Sequence, residues 1–250
     1  MNMKIILSPA KKLDFSKSAN TKNGSELIFP KKTGKLVQKM KSLSIDELGV
    51  LMKLSIELAD LNYGRYQMMG SKENESSLAA DAFNGEVYSG LDFKSFSSSE
   101  SKSAQEKIRI LSGLYGVLKP NTIIEPYRLE MGTKLDVEGS KNLYNFWGDD
   151  ILNFLLGEET ETIVNLASNE YSKAAKLKQF NGTVITPHFK EFKNGDFKVI
   201  MVYAKKARGA MAKWIIKNNI HHSEEIKNYT EDGYIFNEGL SSGKDWVFTR

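Results

Sequence analysis

Lys205, Lys206, Arg208, Gly209 and Lys213 fall within the ten-residue stretch "AKKARGAMAK", residues 204–213. Clustered ammonium and guanidinium groups are suited to holding phosphate or carboxylate oxygens. Winding the stretch as a helix at ~100° per residue puts Gly209, Lys213, Lys206 and Lys217 at about 40–120° from Lys205. Ala207, Met211, Trp214 and Ile215 gather at roughly 180–280° as an apolar stripe, and Arg208 lies on the other flank. Four lysines therefore share one face around a glycine, where a ligand backbone can come close. No Asp or Glu occurs in residues 198–217, so ion pairing within the helix is not the purpose of that face. The plainer reading is a solvated outer face. A second Ala-Lys-Lys, ending in Lys11 and Lys12, follows the apolar run that begins the chain. If the two apolar runs are parallel strands of one sheet, both lysine pairs emerge at its carboxyl edge, where α/β sheets commonly bind ligands.

Two other clusters carry polar chemistry. In "IRILSGLYGVLKPNTIIEPYRLEMG", residues 108–132, a helix ending at Gly113 and a tight turn to Gly116 would aim backbone N–H groups at phosphates, with Arg109, Lys119 and Arg128 around them. The structural alternative is a helix C-cap, with Arg128 paired to Glu125 or Glu130. In "NLASNEYSKAA", a strand delivers Ser168 and Glu170 to its end. Glu170 is a candidate general acid or base assisted by Ser168, the alternative being Ser168 as an N-cap. His188, His221 and His222 lack metal-ligand spacing, and Asp149, Asp150, Glu158, Glu159 and Glu161 read as helix-end or solvated charges, so no metal site is expected. The chain holds no P-loop, dinucleotide fingerprint, nucleophile elbow or HExxH, and no cofactor is expected. Cysteine is absent, which excludes disulfides, thiolate catalysis and cysteine-ligated iron–sulfur clusters.

The elements that must position these residues belong to a globular chain of 250 residues, 40% hydrophobic and 26% charged. No apolar run approaches the ~20 residues of a membrane helix, and the N-terminus lacks a signal-peptide pattern. The net charge of +4 is unevenly spread: residues 1–41 hold ten lysines against Asp14 and Glu26, so the remainder is acidic on balance. Met3 to Leu7 reads as a buried strand, followed by a lysine-rich loop to about Thr33. Helical periodicity follows, with a capping box at Ser44 and Glu47, and a second one at Ser103 and Glu106 opening "KIRILSGLYG". "EVYSGL" reads as a short strand, "NLYNFWGDDILNFLL" as helix, "TIVNLAS" as strand and "NEYSKAAKLK" as helix. "TVITPHFKEFKNGDFKVIMVYA" reads as two strands across Asn194-Gly195, and "GYIFNEGLSSGKDWVFTR" as a closing hairpin. The pattern predicts one mixed α/β domain over 1–250, a central mixed sheet surrounded by helices, with a helical insertion around 30–115 as a variant of it.

Taken together and in order, "ILSPAKKLDF", "FNGEVYSGL", "LSGLYGVLKP", "EPYRLEMG", "LYNFWGDDI", "VNLASNEY" and "VYAKKARGAM" resemble the YaaA peroxide-stress proteins over nearly the whole chain. The resemblance implies a cytoplasmic protein of oxidative-stress defence, associated with limiting free iron. It also implies a compact α/β fold with a basic cleft, a helix-hairpin-helix-like element and DNA binding. It carries the cleft onto Lys11, Lys12, Lys205, Lys206 and Arg208, and the hairpin onto residues 113–116, where Leu114 and Tyr115 separate the glycines. The expectation is a monomer that favours DNA shape over sequence, with Gly209 and Lys213 also at the phosphates and Tyr115, Tyr127 or Tyr171 stacking on bases. The competing expectation is an enzyme acting on a small phosphate- or carboxylate-bearing substrate in the same cleft, with direct iron chelation a third.

Overall fold

The structure, a computed structural model, describes residues 2–16, 21 and 24–250. Lys17 and Lys22 of the lysine-rich stretch lie outside the described residues. In chain order the strands are β1 (Met3–Leu7), β2 (Lys12–Leu13), β3 (Ser77–Leu78), β4 (Phe83–Asn84), β5 (Ile108–Ser112), β6 (Gly116–Leu118), β7 (Ile123–Ile124), β8 (Thr162–Asn165), β9 (Thr183–Lys193), β10 (Asp196–Lys198), β11 (Ile235–Phe236) and β12 (Asp245–Thr249). The helices are α1 (Pro30–Lys41), α2 (Ile45–Met52), α3 (Ile56–Met68), α4 (Ala79–Ala82), α5 (Glu86–Leu91), α6 (Ser98–Lys107), α7 (Leu143–Trp147), α8 (Asp150–Gly157), α9 (Asn169–Ala174) and α10 (Met201–Lys217).

The central sheet has the order β11-β12-β9-β8-β1-β5-β6, with β10 pairing β9 at one side. Strands β12, β9, β8, β1 and β5 are mutually parallel, while β11, β10 and β6 run antiparallel. This is the mixed α/β architecture expected. Strands β1 and β5 are buried at every position. Their near-continuous apolar runs are those of strands covered on both faces, because alternation is needed only where one face meets water. Helix α10 starts beyond the carboxyl edge, after the β9–β10 ribbon, and runs back towards the amino edge. There Lys107, which directly precedes β5, donates to the Ile220 carbonyl at 3.0 Å.

Local chemistry explains the boundaries. Ser44 and Glu47 form the expected capping box, the Glu47 N–H donating to Ser44 Oγ and the Ser44 N–H to Glu47 Oε2. Ser44→Ala is expected to lower stability by about 1 kcal/mol, read from the denaturant midpoint at unchanged slope. The Asn194-Gly195 hairpin also forms, with φ of 55° and 80° at its two residues.

Other expectations are corrected. "EVYSGL" is helix α5, burying Val87, Tyr88 and Leu91 at helical spacing. The capping box near the second cluster is Ser97 with Glu100, so α6 ends at Lys107 and "IRILS" is strand. Its β-branched, fully buried residues belong to the sheet, and residues 113–116 are the turn of the β5–β6 hairpin rather than of a helical pair. Two helices joined by three residues occur instead at α2 and α3. "MVYA" is the first turn of α10, since the ribbon's second strand stops at Lys198 and Met201 and Val202 face solvent. The long helix over 143–157 is broken at Gly148, where φ is 54°.

Candidate nucleic-acid interface

The carboxyl ends of β1 and β8 meet the loop 128–132 and helix α5, so four separate sequence blocks converge there. Ser8, just past β1, accepts a hydrogen bond at its Oγ from the Ser168 N–H at 2.8 Å, and its own hydroxyl lies 3.3 Å from Ser168 Oγ. Tyr88 of α5 donates to the Ser8 carbonyl. Ser168 occupies the N-cap position of α9, but its side chain makes no capping bond. The hydroxyl is turned to Ser8 instead.

Glu170 accepts from the Gly132 N–H at 2.8 Å. Glu130 lies between Lys11 Nζ, at 2.8 Å, and Arg128 Nη2, at 3.1 Å. Tyr66 of α3 ties down the same loop by donating to the Arg128 carbonyl. Arg128 is thus paired with Glu130, not Glu125, whose carboxylate accepts from the Gly70 N–H. The Nε of Arg128 is buried with no hydrogen-bond partner among the described residues. Burying a guanidinium donor unpaired is costly, so this atom is a position where an acceptor would be stabilising.

Arg208 is the sharper case. It is half-buried between the core positions Ala204, Ala207 and Met211 of α10. Desolvation lowers its pKa, and among the described residues no carboxylate or carbonyl compensates it. Lys12 and Lys205 are exposed and likewise have no ion-pair partner among the described residues. Lys12 lies in β2, which pairs with β4 at Asn84, immediately before α5. Helix α5 in turn packs against α10, so the two Ala-Lys-Lys blocks are linked through one short helix. Strands β1 and β9 run parallel, and Lys11, Lys12 and the first half of α10 lie on the carboxyl side of the sheet.

The rest of the predicted lysine face is not free. Lys213 pairs with Asp92 at 2.8 Å, and that contact holds the Asp92 carboxyl below its usual range. Lys206 lies 3.9 Å from Asp232, and Lys217 lies 3.9 Å from Glu100. The three lysines, Asp92 and Asp232 line a groove of about 390 Å³ with Glu231 and Trp214. Acids absent from the helix are supplied by its neighbours, so the face is charge-balanced.

Several predicted contacts are therefore corrected. Gly209 faces α5, not a ligand: a Cβ there would lie 1.8 Å from the Val87 carbonyl oxygen. Arg109 is 1% exposed and held bidentately by Glu158, so its guanidinium is not offered to a ligand. Gly113 and Gly116 are buried in the β5–β6 turn, and a Cβ on Gly113 would meet the Leu129 carbonyl at 2.3 Å. Lys119 belongs to the Glu158 cluster, at 4.0 Å. Tyr115, Tyr127 and Tyr171 are buried, and burial raises the pKa of all three. Tyr127 bonds to Ser112 and packs edge-on against Tyr115, so none of the three has a ring face to offer a base. Sequence reasoning named Glu130 as a partner for Arg128 but missed Ser8 and Tyr88, whose ordinary side chains take roles that depend on partners at least 80 residues away.

The fold and this edge define an α/β protein with one arginine, Arg208, and exposed lysines left uncompensated on the carboxyl side of parallel strands. A family model described as "Peroxide stress protein YaaA" matches residues 3–240. The chain belongs to that family. It is 45% identical to a UPF0246 protein of Colwellia psychrerythraea, over 99% of each chain, and 46% identical to one of Idiomarina loihiensis, over 99% of this chain and 98% of that one. No helix among the described residues is long and apolar enough to cross a membrane.

Proposed function

We propose that this peroxide-stress family member binds DNA in the cytoplasm through the carboxyl edge of its sheet. There it helps limit the damage that intracellular free iron and peroxide do to DNA. The observation that carries the reading is Arg208, desolvated without a counter-charge, with unpaired Lys205 one turn before it on α10 and unpaired Lys12 on the same side of the sheet. Phosphate oxygens are ligands that a guanidinium and two ammonium groups hold together. Contacts of that kind position a protein on DNA without reading sequence, which favours recognition of DNA structure by a monomer. No resident cofactor is invoked.

Fluorescence-polarisation titration on duplex, single-stranded and branched DNA over about 50–200 mM salt tests this, since each neutralised duplex phosphate contributes a slope of about −0.9. Lys12→Ala/Lys205→Ala, both exposed, is expected to bind more weakly and to flatten the slope by about 2. Arg208→Ala should weaken binding further. Affinity indifferent to salt and to all three residues would remove DNA from the proposal. A small anionic substrate is the second reading, favoured by the Ser168 hydroxyl released from its capping role beside Glu170. A metabolite-dependent thermal shift abolished in Arg208→Ala, with no DNA binding, would select it.

A further inference from the structure

Five of the exposed large apolar side chains in the described residues lie in one short region: Phe192, Val199, Met201, Val202 and Tyr203. They belong to the β9–β10 ribbon and the first turn of α10. The tip of the ribbon extends past the sheet, because the last backbone bond between β9 and the end of β12 is that of the Phe192 N–H to the Arg250 carbonyl, and β10 pairs only with β9. On one face Phe192 and Phe197 are register partners, their ring centroids 5.2 Å apart and their planes inclined at 62°. Phe192 is 62% exposed, so one face of its ring is open to solvent.

Lys190, two residues before Phe192, shares the face of these rings; Lys193 and Lys198, at the neighbouring positions, extend from the ribbon's other face, and Lys205 stands one turn along from Met201 in α10. None has an ion-pair partner among the described residues, in contrast to Lys206, Lys213 and Lys217 further along α10. The acids of the ribbon, Glu191 and Asp196, are the register partners of Lys198 and Lys193, and each accepts a further bond. Glu191 is held by Arg250 and Tyr234, and Asp196 accepts from the Phe197 N–H. The Arg250 guanidinium also stacks on Tyr203 and Tyr234. This clamp fixes the base of the ribbon, so Phe192 is presented with little further ordering needed on binding.

Resting on the DNA-binding reading above, we infer that the β9–β10 ribbon is a stacking platform for an unpaired DNA strand, with Phe192 taking a base and Lys190, Lys193 and Lys198 its phosphates. Lysines flanking an open aromatic ring are the combination that single strands use, a sequence-tolerant ring contact beside an electrostatic track. A second copy of the chain fits poorly, since a two-fold contact through this patch would bring the same unpaired lysines against each other. The ribbon leads into the first turn of α10, which carries Lys205, so a strand leaving a duplex on the carboxyl edge lies close to it.

The test compares wild type, Phe192→Ala, Phe192→Trp and Lys190→Ser/Lys193→Ser/Lys198→Ser on a labelled oligothymidine strand and on a duplex of equal length. Phe192→Ala is expected to weaken single-strand binding about 5- to 100-fold, the range one ring–base stack supplies, and to leave duplex binding unchanged. Phe192→Trp should retain single-strand binding, and the triple variant should flatten the single-strand salt slope by about 2. Equal single-strand affinity of wild type and Phe192→Ala, with duplex binding intact, overturns the inference and leaves the DNA reading standing. Failure of the wild type to bind either DNA overturns both. Phe192-dependent binding to phosphatidylserine vesicles, or Phe192-dependent dimerisation in sedimentation, without an effect on single strands, assigns the patch to another partner and overturns the inference.

Discussion

Glu158→Ala is expected to destabilise the protein by about 3–5 kcal/mol, the cost of leaving a buried cation without its counter-ion. Arg109 is 1% exposed and donates to both carboxylate oxygens of Glu158, with its remaining N–H groups on the carbonyls of Gln105, Glu106 and Ile108. Lys4, almost fully buried, lies 3.9 Å from the same carboxylate, and Lys119 lies 4.0 Å from it. Desolvation lowers the Lys4 pKa, with Arg109 adding to it, so Glu158 is the charge that makes this cluster tolerable. Removing it leaves positive charge at the amino edge of the sheet with nothing to balance it. For a chain of this size the loss corresponds to a fall in Tm of about 6–20 °C. Glu158→Gln, which keeps an acceptor but not the charge, should fall between. A measured loss under about 1 kcal/mol for Glu158→Ala would show that water reaches Arg109 and that the pair is not structural.

Gly209→Ala is expected to be comparably damaging, for a steric reason. The alanine Cβ would stand 1.8 Å from the Val87 carbonyl oxygen and 2.7 Å from the Leu91 nitrogen. Both are backbone atoms of α5, so no rotamer change relieves the clash. At the same crossing a Cβ on Gly90 would stand 2.1 Å from the Lys206 carbonyl oxygen. The two helices touch backbone to backbone, and a methyl must separate them. Overpacking costs about 1–3 kcal/mol where side chains can yield, and more where they cannot. Circular dichroism melts of Gly209→Ala and Gly90→Ala should both drop by several degrees, and α10 should shift against α5. On the proposed DNA reading, binding would then also weaken, through displacement of Lys205 and Arg208 rather than loss of a glycine–phosphate contact. A Gly209→Ala protein with wild-type Tm and weakened DNA binding would reverse this and restore the ligand-facing glycine read from the helix face.

The mixed α/β class, the buried β1 strand, the Ser44 capping box and the Asn194-Gly195 turn were legible because each depends on residues within a few positions of one another. A capping box closes over three residues and a two-residue turn over four. The "EVYSGL" helix was not legible, since six residues carry too few turns to distinguish a helical from a strand period. The "KIRILS" run was misread for a related reason. Its residues suit either state, and pairing with β1 and β6, distant in sequence, decides for strand.

The candidate site divides the same way. Sequence alone determined that Lys205 and Arg208 are cations with no acid nearby in the chain, and that two Ala-Lys-Lys blocks follow apolar runs. It also determined that no thiol chemistry is available. Tertiary structure alone decided which cations stay uncompensated. Asp92, Asp232 and Glu100 reach Lys213, Lys206 and Lys217 from other elements, Glu158 claims Arg109, and nothing among the described residues reaches Arg208. Residue type sets a group's charge, but its counter-charge and solvent are set by neighbours that the fold brings from far along the chain.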